Sequence, residues 1–94
     1  MDIQTLSQIK SKFVARQVAD ELVIVPLSGN VAQMNELFTL NETGKFIWEN
    51  ITDDKTAEQL STLMTEEFEI DQQTALRDVE AFLKQMNLLE KYNN

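Results

Sequence analysis

The sequence predicts an α+β domain: a three-stranded antiparallel sheet followed by three helices, in a winged helix-turn-helix-like arrangement. Three observations carry that expectation. From Phe13 the apolar residues take up a period of two, and Leu22-Val23-Ile24-Val25 is rich in the β-branched residues that suit a pleated surface. From Phe46 onward the apolar residues recur at helical spacing. Between and after these regions stand Asn41, Thr56 and Asp71, each of a type whose side-chain oxygen accepts from a first-turn N–H and so opens a helix.

Taken in order, residues 1–12 carry Ile3, Leu6 and Ile9 at a spacing of three, which fits either a short helical turn or a loosely packed N-terminal arm. Phe13, Ala15 and Gln17 alternate with Val14, Arg16 and Val18, so either register leaves one face of the first strand mixed. Ala19-Asp20 is read as a tight hairpin turn, although it lacks the glycine such turns prefer. Pro26 closes the second strand because it cannot donate to a ladder. Gly29 and Asn30 supply a second turn, and a third strand is predicted over 36–40 with a start as early as Ala32.

The first of the three helices is placed at 42–50. Glu42 puts negative charge at its positive end, and Gly44, costly in a first turn, implies a close contact with a neighbouring element. Thr56 with Gln59 has the spacing of a capping box, and Leu60, Leu63, Met64 and Phe68 form one stripe on the second helix. The third helix is placed at 72–86, with Ala75, Leu76, Val79, Phe82, Leu83 and Met86 as a broad apolar face. After it, 87–89 are read as a short extended return and 91–94 as a polar tail.

Ninety-four residues suffice for one domain with one modest core. The apolar share of 43% and the presence of only two glycines and one proline argue against disorder. With no cysteine and no histidine, disulfides, thiolate metal sites and the commonest general base are excluded, so no metal, cofactor or catalytic residue is expected. Neighbouring carboxylates such as Asp53-Asp54 and Glu66-Glu67 are read as a solvated loop and a helix end, and the protein is not expected to be an enzyme. No apolar run approaches the roughly eighteen residues of a spanning helix, and Met1-Asp2-Ile3-Gln4 lacks the form of a signal peptide, which makes the cytoplasm the expected compartment. A net charge of −8 repels phosphate, so neither nucleic acid nor an anionic membrane is an expected partner; a basic or mixed-charge peptide is attracted, or else the charge serves only to keep a small protein in solution.

Trp48, the sole tryptophan, reads as a core anchor, with a ligand-stacking platform as the other possibility. The remaining functional signal is an edge. The last strand of a three-stranded sheet leaves backbone N–H and C=O groups unpaired. If the third helix lies beside that strand, an extended peptide adds to the edge and drops side chains into the groove between them. Leu76 and Phe82, on the flanks of the helix's broad apolar face, then serve as pocket walls, or else all six apolar residues are core.

Leu40-Asn41-Glu42-Thr43-Gly44-Lys45-Phe46-Ile47-Trp48, followed by Thr56-Ala57-Glu58-Gln59-Leu60 and Asp78-Val79-Glu80-Ala81-Phe82-Leu83, resembles the PqqD-like family over roughly 13–90. The resemblance implies the same sheet-then-helices fold. It also implies a non-catalytic function: binding the leader segment of a ribosomally synthesised precursor peptide by strand addition. The leader is then presented to a modifying enzyme, often a radical S-adenosylmethionine protein. Carried onto this chain, it implicates Met34, Glu36, Leu37, Phe38 and Thr39 on the strand and Leu76, Arg77, Glu80, Leu83 and Lys84 on the third helix. Monomer and dimer both remain open. Two alternatives stand beside it: a DNA-binding winged helix, which the balance of Arg77 and Lys84 against Asp71, Asp78 and Glu80 disfavours, and a dimerisation module in which the open strand pairs with its own copy.

Overall fold

In a computed structural model of the chain, residues 1–27 and 38–92 are described, with side chains through residue 89. The first element is a helix, α1 (Ile3–Ile9), where the sequence left a choice between a turn and a loose arm. Asp2 caps it by accepting from the Thr5 N–H at 2.7 Å. Ile3, Leu6 and Ile9 are all buried, so residues 1–12 contribute to the core rather than trailing from it. A single 3-10 turn, Lys10–Lys12, then leads into the sheet.

The sheet is antiparallel with order β1 (Phe13–Val18), β2 (Glu21–Pro26), β3 (Phe38–Leu40). The hairpin between β1 and β2 has the expected two-residue loop, with Val18 opposite Glu21. Ala19 adopts φ 55°, the left-handed region that glycine favours, and Gln17 Nε2 donates to its carbonyl at 2.7 Å. The register resolves the ambiguity of β1. Phe13, Ala15 and Gln17 share the inner face with the buried Ile24 and Leu22, but of the three β1 residues only Phe13 is buried. On the outer face Val14 and Val18 are 43% and 53% exposed. β3 pairs Leu40 with Leu22 and Phe38 with Ile24. Of the strand predicted over 36–40, Glu36 and Leu37 lie outside the described residues, as does Met34.

Three helices follow: α2 (Glu42–Asn50), α3 (Ala57–Phe68) and α4 (Gln72–Gln85). Each opens on its expected cap. Asn41 Oδ1 accepts from Gly44 N–H at 2.9 Å, Thr56 and Gln59 form both halves of the capping box, and Asp71 accepts from Thr74 N–H at 2.7 Å. α3 ends at Glu69, which is left-handed at φ 54°. After α4 the chain forms a 3-10 helix, Met86–Tyr92, and not the extended return expected for 87–89. Burial of Met86 and Leu89 explains the difference, since a spacing of three brings both onto the inner side of a three-residue turn. The Met1 ammonium donates to Asn87 Oδ1 and so ties the start of the chain to this last element.

One core joins α1, the inner sheet face and α2 to α4. Trp48 is 5% exposed and meets Phe13 edge-on at 6.2 Å, which settles it as a core anchor. Phe46 and Phe68, edge-on at 5.4 Å, lock α2 to α3. Among the described residues, no helix is long and apolar enough to cross a membrane.

Candidate peptide-binding cleft

The fold leaves β3 with a neighbour on one side only: among the described residues it pairs with β2 and with no other strand. At its end lies a cleft of about 330 Å³. One wall is built from Glu21 of β2, Thr39 and Leu40 of β3, and Asn41, Thr43, Gly44 and Ile47 at the start of α2. The opposite wall is α4, through Asp78, Ala81, Phe82 and Gln85. Leu40, Ile47 and Phe82, all 5% exposed or less, give the cleft an apolar floor.

Local sequence explains the shape of the first wall. β3 stops at Leu40, and Asn41 turns the chain directly into α2 by bonding the first turn. Its Oδ1 accepts from both Gly44 N–H and Thr43 Oγ1, the latter at 3.0 Å. The tight junction favours glycine at position 44. A Cβ there would lie 3.3 Å from Asn41 Oδ1 and 3.3 Å from Leu40 Cβ, closer than ordinary packing. The neighbouring element implied by this glycine is therefore the end of β3.

The helical phase of α4 sets the second wall. Asp78, Ala81, Phe82 and Gln85 stand at i, i+3, i+4 and i+7, one stripe along the helix. Phe82 is shared with the core stripe of Ala75, Val79 and Met86, so cleft and core are adjacent faces. Leu76 and Leu83 fall about 160° and 140° around the axis from Asp78 at 100° per residue. Both are partly buried, Leu83 packs against the core, and neither lines the cleft. Arg77, Glu80 and Lys84 are exposed. Arg77 and Lys84 neighbour Ala81 at i−4 and i+3 and flank the cleft, whereas Glu80 is turned further away. On the strand, Thr39 lines the cleft and Phe38 is partly buried against the core.

The sequence-based residues missed Glu21, Asn41, Thr43, Gly44, Ile47, Asp78, Ala81 and Gln85 of the cleft lining. A small residue, Ala81, between polar residues beside an apolar stripe was the available signal, and it is a weak one. The shifted carboxyls lie elsewhere. Hydrogen bonds from Thr5, Thr52 and Thr74 hold Asp2, Asp54 and Asp71 below the usual carboxylate range, at two helix caps and a loop. A second hollow, lined by Asp54, Lys55, Gln59, Thr62 and Leu63, is built only from α3 and the loop before it and borders no strand.

The fold is similar to a solved structure described as TbiB1 in complex with the TbiA(beta) leader peptide. The two share 26% sequence identity at a TM-score of 0.64, over 84% of this chain and 86% of that one. No curated protein matches the chain. Residues 21–88 match the family described as Coenzyme PQQ synthesis protein D (PqqD). With the sheet, the three capped helices and the greater part of the sequence all in agreement, the chain belongs to the PqqD family.

Proposed function

We propose that this protein binds the leader segment of a ribosomally synthesised precursor peptide and presents it to a modifying enzyme, without catalysing a reaction itself. The leader lies as an added strand on the free edge of β3, with side chains entering the cleft against α4. The observation that carries this reading is the cleft itself. It opens beside a strand with one edge unpaired among the described residues, in a fold shared with a protein whose structure was solved with a leader peptide bound. Main-chain pairing with Phe38, Thr39 and Leu40 supplies affinity that is indifferent to sequence, and the cleft supplies selectivity. Arg77 and Lys84 at its flank reach a longer peptide at the rim. Within this reading Leu76, Glu80 and Leu83 contact a partner only where it wraps past the cleft. The enzyme partner, a radical S-adenosylmethionine protein in the expectation above, takes up the leader-bound complex.

The test is a binding titration by fluorescence polarisation. The probe is a labelled synthetic leader of a short precursor peptide, sought in the neighbourhood of this gene. Ala81 is exposed, so Ala81→Trp fills the cleft without disturbing the core. The expected result is a dissociation constant raised by about tenfold or more, equivalent to about 1.4 kcal/mol, with the melting temperature unchanged. Equal affinities for the two proteins would place the peptide elsewhere. Absence of binding to the parent protein, together with salt-sensitive binding of a DNA duplex, would favour the winged-helix alternative.

A further inference from the structure

The charge of the cleft restricts what it holds, and this inference rests on the peptide-binding reading above. Among the described residues two that line it are ionisable, Glu21 and Asp78, and both are acids; none of the described lining residues is a lysine or arginine. They come from opposite walls. Glu21 stands one step beyond the Leu22–Leu40 register pair, and Asp78 stands on α4. The opposing influences are Arg77 and Lys84, which flank the cleft without lining it, and the N-terminus of α2, equivalent to about half a positive charge. That end is already answered by Asn41 Oδ1 and by Glu42 in the first turn. Among the lining residues two full negative charges therefore dominate, and the net charge of −8 on the whole chain reinforces them.

A neutral guest side chain in the cleft strips water from these carboxylates and returns no partner, which is costly. A basic side chain answers both. Its aliphatic stem also suits the floor of Leu40, Ile47 and Phe82, since lysine and arginine lay their methylenes on apolar surface while the charged head reaches polar groups. We infer that the cleft is a selectivity pocket for a lysine or arginine of the guest peptide, its charged head held between Glu21 and Asp78 while the guest backbone pairs with β3.

The experiment pans phage-displayed random peptides of about twelve residues on the full chain, then measures the enriched peptides by fluorescence polarisation. The proteins compared are the parent and the isosteric double variant Glu21→Gln/Asp78→Asn. The expected result is a shared lysine or arginine in the enriched peptides. Its replacement by alanine weakens binding to the parent by about tenfold and to the double variant by less than about twofold, the signature of direct coupling. The alanine substitution is made in the peptide, so the parent protein alone already decides whether the basic residue matters. Enriched peptides that lack a basic position and are excluded by Ala81→Trp would overturn the selectivity while leaving peptide binding in place. No enrichment on the parent protein would overturn both.

Discussion

Lys10 shows how much a single side chain does in a small domain. Its Nζ donates to the carbonyls of Trp48 at 2.6 Å and Ile51 at 3.3 Å and lies 5.6 Å from the Trp48 ring centroid. Those carbonyls end α2, where backbone acceptors lack helical partners and the dipole is negative. Burial lowers the Lys10 pKa, and the charge of Glu49 opposes that shift. Lys10→Met keeps the apolar stem but orphans both acceptors. It is expected to destabilise the fold by about 1–3 kcal/mol, read as a lower urea midpoint from Trp48 fluorescence; an unchanged midpoint would show that water serves the carbonyls equally well. In the sequence Lys10 is only half of a small basic cluster with Lys12. Its partners stand 38 and 41 positions away, and no local pattern reports a contact of that range. Gly44 and Trp48 were legible because glycine in a first turn and a lone large aromatic each have few structural uses.

The helices differ in how openly their residues declare them. α2, α3 and α4 begin where Asn41, Thr56 and Asp71 place them, since a cap is a local hydrogen bond that needs no tertiary partner. α1 was left between a turn and an arm. With only seven residues it is too short to be stable alone, and burial of Ile3, Leu6 and Ile9 is what holds it. α4 illustrates the opposite limit. Its six apolar positions were plain, but which flank meets the strand depends on the helix's rotation in the assembled fold. The cleft side carries Asp78, Ala81 and Gln85, and Leu76 stands nearly opposite. The caps also bring a pH dependence. Hydrogen bonds from Thr74, side chain and then backbone, lower the Asp71 pKa from 3.8, and Thr5 does the same for Asp2. A carboxyl lowered on folding stabilises fully above its unfolded pKa, and that contribution is lost as pH falls through the lower folded value. Asparagine caps a helix about as well as aspartate but does not titrate. Asp71→Asn is therefore expected to keep the neutral-pH melting temperature and to shallow its fall below about pH 4. A parallel fall in both proteins would remove Asp71 from the acid response.

At the level of the complete fold, the α+β class and the order of sheet and helices followed from periodicity and caps, whereas the cleft required assembly. Glu21, Asn41 and Asp78 are far apart in sequence and meet only when β2, the β3–α2 junction and α4 converge. The net charge of −8 was visible from composition, but the placing of Glu21 and Asp78 on opposite walls of the cleft was not. The function proposed here depends on one geometric feature, the edge of β3 that is unpaired among the described residues, beside α4. Amide hydrogen exchange, followed residue by residue by NMR with and without the leader peptide, probes that edge. Added strands protect the amides they pair with, so the edge-facing amides within Phe38–Leu40 are expected to slow on peptide addition while those of β1 keep their rates. Peptide bound at saturation with the Phe38–Leu40 amides unchanged, or with new protection along β1 instead, would show that the guest does not pair with β3.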